Sequence, residues 1–424
     1  MRTNFKPEQL EDPKLKAADA QLRSCVHCGI CTATCPTYNI LRDERDGPRG
    51  RIQLIQQMLE QDLKPSLQTV AHLDRCLSCL ACVSACPAGV NYPRLIDTAR
   101  NHIERSNVRP PLDQLVRRAL GTILPHRRLL SLLVSLARLV SPLRSLAPRQ
   151  FSTMIDAAAK LPRPAKTPEP QAISATTMRI ALHKGCVQEV VAPQFTSAAR
   201  RVLAKLGIEA ECVEGTGCCG ALNHHLGQER PAHRHAQALV RDITDRETEA
   251  PFAHVLTTTS GCGAVIRDFG FQLGSPEARS IGERTRDVMD FLQEKLNVPQ
   301  RASNSIRVAY HKPCSLQHAM KSADAGPALL RRLGFEVLEP DDQSCCGSAG
   351  VYNVLQPDIA RMLQQQKTDA LRSLKPDIIV SGNIGCLAQI ASAMDVPVVH
   401  PVEVVDWALD GYVPESLRHL RLLR

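Results

Sequence analysis

Aromatic residues are scarce in this chain: 3% of 424 residues, with one Trp, five Tyr and eight Phe. So thin a supply leaves few platforms for base stacking, and no nucleic-acid motif is present, so no nucleic-acid partner is expected. Long hydrophobic runs are missing as well. The most apolar stretch, Leu129–Ala137, falls far short of the roughly 20 residues that a bilayer requires. Residues 1–22 carry charges throughout and lack the apolar core of a secretory leader. The expectation is a cytoplasmic chain with no signal peptide and no transmembrane helix. No G-x-G-x-x-G fingerprint after a strand, no P-loop and no Ser/His/Asp arrangement is read, so no catalytic residue is assigned.

Cysteine, by contrast, is plentiful, with 17 in the chain. In a reducing compartment thiols serve cofactors and not disulfides. Cys25, Cys28, Cys31 and Cys35 precede Pro36, and Cys76, Cys79, Cys82 and Cys86 precede Pro87. Each copy reads C-x2-C-x2-C-x3-C-P, the run that wraps a [4Fe–4S] cube, and its fourth cysteine ligates the other cube of a pair. On that rule Cys25, Cys28, Cys31 and Cys86 hold one cluster, and Cys35, Cys76, Cys79 and Cys82 the other. Structural zinc prefers two separated C-x2-C pairs, a poor match to four thiols in one run. Arg49, Arg51 and Arg75 lie close enough in sequence to raise cluster potential, though they also read as solvated helix-end charges.

The net charge of +9 sits entirely in residues 1–150; the remainder balances. A basic face suits acidic lipid or an acidic partner. Pro13–Arg23 reads as a helix, Gly47–Arg51 as a turn before a helix that ends at Pro65, and Pro93–Ile103 as another helix. Residues 1–108 are therefore expected to form an α-helical ferredoxin domain. Residues 109–176 follow as a basic amphipathic segment and proline-rich linker. Between Pro125 and Pro142, Leu129, Leu132, Leu133, Leu136, Leu139 and Val140 make an apolar stripe. Such a stripe either packs on protein or lies on an anionic membrane surface.

An internal repeat fills the rest, as residues 177–300 and 301–424. Arg179-Ile-Ala-Leu-His183-Lys184-Gly185-Cys186 returns as Arg307-Val-Ala-Tyr-His311-Lys312-Pro313-Cys314, and Cys218-Cys219-Gly220 as Cys345-Cys346-Gly347. Short strands at Arg179–His183, Val255–Thr258, Arg307–His311 and Ile378–Val380 each feed a helix, which implies a mainly parallel sheet per repeat. The fold class is multidomain α plus α/β. Cys186, Cys218, Cys219 and Cys262 should converge at one sheet edge, and Cys314, Cys345, Cys346 and Cys386 at the other. A further iron–sulfur cluster, a redox dithiol and zinc all suit such thiols. Gly220 and Gly347 suggest close approach of the backbone to something bound. Cys212 reads as apolar filler, and His183 and His311 as strand-end residues able to orient a ligand.

Two such motifs followed by two C-C-G repeats resemble the iron–sulfur subunits of bacterial glycolate oxidase (glycolate dehydrogenase). The wording His183-Lys184-Gly185-Cys186-Val187-Gln188 and Ser260-Gly261-Cys262-Gly263 is similar to theirs. Subunits of anaerobic glycerol-3-phosphate dehydrogenase, lactate utilisation and heterodisulfide reductase share the plan. The resemblance implies an oxidoreductase complex in which two FAD-linked oxidase subunits oxidise glycolate to glyoxylate. This chain would carry electrons toward membrane quinone from the cytoplasmic face of the inner membrane, as a peripheral protein. The corresponding subunit for glycerol 3-phosphate or lactate, and a thiol–disulfide reductase, are the alternative readings. Thr259 and Asn383 stand where heterodisulfide reductase-like domains have a further cysteine, which argues against that chemistry.

Overall fold

Proline opens many of the helices, since its missing N–H has no intrahelical partner in a first turn anyway. A computed structural model describes residues 1–62, 64–142, 163–170, 176–248 and 250–422. The helix Pro13–Ser24 starts at such a proline, with the Asp12 carboxylate accepting from the Lys14 amide. Pro48 likewise opens the helix Pro48–Glu60, which corrects the turn expected at Gly47–Arg51. Gly47 caps that helix and Gly50 lies inside it, where a Cβ would stand 2.2 Å from the Glu44 carbonyl oxygen. The helix stops at Glu60, before Pro65 is reached.

Four helices, Pro13–Ser24, Pro48–Glu60, Leu67–Asp74 and Tyr92–Arg105, enclose the first core through Leu22, Ile55, Leu59, Leu73, Leu95 and Ile103. Each such side chain contributes about 1.5–3 kcal/mol on burial. Next comes the helix Arg127–Val140, which buries none of the six residues of the expected stripe. Its buried face is Leu130, Val134 and Ala137, packed toward the helix Cys186–Val191; Leu129, Leu132, Leu136 and Leu139 are exposed. Both faces are apolar at helical spacing, so periodicity alone could not rank them. The face with Val134 and Ala137 is the slimmer and admits closer approach. Arg127 then anchors the start of the helix, donating to the Lys184 carbonyl at 2.9 Å and pairing with Glu214. Much of the linker at 147–176 lies outside the described residues. Among those described, no helix is long and apolar enough to cross a membrane.

The two repeats form separate four-stranded, all-parallel sheets. One has the order β2-β1-β3-β4, from Ile208–Val213, Met178–His183, Val255–Thr257 and Thr285–Asp287. The other has the order β6-β5-β7-β8, from Glu336–Leu338, Arg307–His311, Ile378–Ser381 and Val398–Val399. The short edge strands β4 and β8 had no distinct sequence signal. Helices cover both faces, which is why β1 and β5 end in unbroken buried runs. The repeats share one large core: Ile180, Leu182 and Leu292 of the first meet Val308, Tyr310 and Val402 of the second. Across it the buried Arg201 guanidinium donates to the Asp406 carboxylate at 2.8 Å.

Candidate iron–sulfur and thiol sites

In each N-terminal motif the chain turns through left-handed residues between cysteines, at His27 and Gly29 in the first and at Ser78 and Leu80 in the second. Those turns, followed by the short helices Ile30–Ala33 and Ala81–Ser84, aim the thiols at common hollows. One hollow is lined by Cys25, Cys28, Cys31 and Cys86, the other by Cys35, Cys76 and Cys79; Cys82 borders both. The fourth cysteine of each motif has therefore crossed to the partner hollow. Burial, then the neighbouring thiols Cys25 and Cys86, push the Cys31 thiol up. Four soft sulfur donors around one hollow, twice over, fit a [4Fe–4S] cube in each.

Arg51 lies against the second hollow and is 2% exposed. It donates to the His72 carbonyl (2.8 Å), to Thr37 Oγ1 (3.0 Å) and to Cys35 Sγ (3.8 Å), with Asp46 at 3.6 Å. Asp46 is also held by His72 and Arg75, each at 3.0 Å. Arg49 is different: half-exposed, it pairs with Glu44. Sequence reasoning missed Arg100, whose guanidinium donates to the Cys76 carbonyl and to Ser78 Oγ at 2.6 Å each.

In the repeats the thiols gather beyond the carboxyl ends of the strands, at the point where the strand order reverses. Cys186 follows β1, Cys218 and Cys219 follow β2, and Cys262 follows β3. The thiols neighbour one another in the order Cys186, Cys218, Cys219, Cys262, and Cys314, Cys345, Cys346, Cys386 in the second repeat. The Cys218 thiol, then burial, hold the Cys186 thiol well above its ordinary value; Cys345 and burial do the same for Cys314. Cys212, on β2, is half-buried and stands outside these sets.

The glycines of the C-C-G runs need a correction. Gly220 and Gly347 take φ of +84° and +85°, and a Cβ would stand 2.6 Å from the carbonyl oxygens of Ala232 and Ala360. The close approach that requires glycine is to a carbonyl of the helices Glu229–Arg246 and Pro357–Ser373. Gly215, Gly217 and Gly220 spell G-x-G-x-x-G after β2, contrary to the expectation that no such pattern follows a strand. A Cβ on Gly215 would meet the Leu239 amide at 2.7 Å, so Gly215 and Gly220 serve packing, while Gly217 serves its turn at φ +89°. Gly220→Ala and Gly347→Ala should each cost about 1–3 kcal/mol through left-handed strain alone. A lowered thermal unfolding midpoint checks this, and an unchanged midpoint would contradict it.

His183 and His311 close the strands β1 and β5 beside their thiols. A ring nitrogen of His183 and the sulfurs of Cys219 and Cys262 lie within 4.8 Å of one another, and so do those of His311, Cys346 and Cys386. Burial, reinforced by Arg127, pushes His183 down to about 4; burial and Lys367 push His311 down to about 3. Both rings are thus neutral at pH 7, the form that ligates metal.

The second repeat touches the N-terminal domain at its cluster hollow. Cys79 feels the thiol of Cys314, and Cys345 feels that of Cys79. Leu77 packs with Cys345 and Tyr352, whose hydroxyl donates to the Arg75 carbonyl at 3.0 Å. Two family models match the chain: a 4Fe-4S dicluster domain at residues 24–90, and a cysteine-rich domain at 180–267 and 308–391. The chain is 38% identical to the glycolate oxidase iron-sulfur subunit of Escherichia coli, over 97% of this chain and all of that one. It is 26% identical to a probable glycolate oxidase iron-sulfur subunit of Bacillus subtilis, over 92% and 93%. A fumarate reductase (CoM/CoB) subunit of Methanothermobacter marburgensis is 23% identical, over 95% of this chain and 74% of that one.

Proposed function

We propose a function from one premise: the chain belongs to the family of glycolate oxidase iron–sulfur subunits. It is the electron-transfer subunit of a glycolate dehydrogenase complex, in which two FAD-linked oxidase subunits convert glycolate to glyoxylate. Electrons leave through this chain toward membrane quinone. The observation that carries this reading is the pair of adjoining hollows with crossed thiol sets, one of them in contact with the thiols of the second repeat. Clusters move electrons singly, and two of them suit the two-electron output of a reduced flavin.

In this reading Cys25, Cys28, Cys31 and Cys86 hold one [4Fe–4S] cluster, and Cys35, Cys76, Cys79 and Cys82 the other. The repeat thiols hold further iron and sulfide. The division at residues 108, 176 and 300 belongs to the same proposal and is supported by the ranges the family models match. The exposed leucines of Arg127–Val140, on the basic part of the chain, favour a peripheral seat on the inner membrane. Burial argues against a disulfide reductase: Cys218, Cys219, Cys345 and Cys346 are all 4% exposed or less.

The test is glycolate added anaerobically to the complex of this chain with its two flavoprotein subunits. Cluster EPR signals should appear, with lactate and glycerol 3-phosphate giving far less. Reduction by either of those but not by glycolate would overturn the substrate, and zinc in place of iron and sulfide would overturn the role.

A further inference from the structure

We propose that His311, and by the same geometry His183, is a metal ligand, so that each repeat surrounds an iron–sulfur group with four thiolates and one imidazole nitrogen. This rests on the reading of the repeat thiols as a cluster site and adds a donor of a different kind. Three observations converge on it. A ring nitrogen of His311 lies with the sulfurs of Cys346 and Cys386 inside a 4.8 Å span, a separation that one bound metal centre can bridge. His311 is 1% exposed, and neither of its nitrogens has a hydrogen-bond partner. Leaving a buried imidazole unpaired is costly, and the native arrangement calls for something at that nitrogen. Finally, the arrangement occurs twice. His183 is 2% exposed at the matching strand end beside Cys219 and Cys262. The Val213 carbonyl acts on the His183 ring, yet neither nitrogen reaches a partner in hydrogen-bond geometry.

Other neutral donors near these thiols are already engaged. Thr259 donates to the Gln188 carboxamide oxygen at 2.5 Å. The Asn383 carboxamide oxygen accepts from the Gly385 amide at 2.9 Å, and its nitrogen donates to Ser260 Oγ at 3.1 Å. The hydroxyls of Thr257 and Ser381, strand neighbours of His183 and His311, also lack partners, but of these donors imidazole is the one suited to iron. A neutral nitrogen among anionic sulfurs raises the potential of an iron–sulfur group relative to an all-thiolate one. In the second repeat the buried Lys367 acts in the same direction, close to both His311 and Cys386. Both groups would raise the potential of an iron–sulfur centre held beside Cys79. Such a centre would stand next to the thiols proposed to hold the second N-terminal cluster, where it could exchange single electrons with it.

The test is pulsed EPR on the full chain, purified anaerobically with its clusters and labelled with 15N only in histidine. A strong nitrogen coupling that changes with the isotope is expected on a signal distinct from the two N-terminal clusters. His311→Cys should abolish the coupling from the second repeat, keep its iron and lower its midpoint potential. His183→Cys should leave that coupling in place. The unsubstituted labelled chain decides the matter even if a variant fails to fold. Absence of isotope-sensitive coupling, or zinc in place of iron in the repeats, overturns the proposal. In either case the two N-terminal signals persist, whereas their loss would instead sink the proposed function.

Discussion

Replacing Cys86 with serine is expected to erase the same EPR signal as replacing Cys31, although the two residues belong to different sequence motifs. Cys35→Ser should likewise act on the signal governed by Cys76 and Cys79. The reason is the crossing: Cys86 lines the hollow of Cys25, Cys28 and Cys31, and Cys35 that of Cys76 and Cys79. Each variant should retain about four of the eight N-terminal iron atoms. Glycolate-driven electron delivery through the complex should fall by more than about 100-fold, since groups merely behind a ligand already cost 10–100-fold. Iron and sulfide analysis with EPR of each variant provides the check. If Cys86→Ser disturbs the Cys76 signal and spares the Cys31 signal, the assignment of ligands is wrong.

Arg51→Leu should be the most damaging substitution that removes no thiol. Arg51 is 2% exposed and Asp46 1%, and the guanidinium also serves Thr37 and the His72 carbonyl. Asp46 keeps Arg75 and His72, but the buried His72 carbonyl and Thr37 hydroxyl each lose a charged donor, at about 1–3 kcal/mol apiece. That is a large share of the roughly 5–15 kcal/mol by which a native chain is stable. Losing a cation 3.8 Å from Cys35 Sγ also favours the oxidised cluster, so its midpoint potential should fall. Arg51→Lys keeps the charge and loses the fork, and should recover the potential better than the stability. Arg49→Leu is the control. Its exposed pair with Glu44 is worth about 0–1 kcal/mol, so its unfolding midpoint should stay near that of the native chain. Equal unfolding midpoints for the Arg51 and Arg49 variants would refute this account.

In sequence the two arginines look alike, two residues apart on one helix, and nothing in their spelling separates them. Arg51 is buried against the second cluster hollow, whereas Arg49 lines the first and is half-exposed, because 3.6 residues per turn place them on different faces. The same limit applied to the leucine-rich helix Arg127–Val140. One apolar stripe stood out there, through Leu129, Leu132 and Leu136, yet packing against the helix Cys186–Val191 buries the other face, with Leu130, Val134 and Ala137. At Gly220 and Gly347 a need for glycine was legible, but the helix carbonyl that imposes it lies a dozen residues on.

Short-range chemistry was determined by the chain alone. Cysteine spacing names the metal group because a cube of fixed size dictates where thiols must stand along a tight loop. A repeated word at each strand end likewise places thiols at a sheet edge, since parallel strands all deliver their carboxyl ends to one side. Tertiary structure decided what is long-range: that Cys79 meets Cys314 and Cys345, and that His183 and His311 face the thiols without a partner. Such contacts depend on how whole domains pack, through cores assembled from residues far apart in the chain, and no local pattern encodes them.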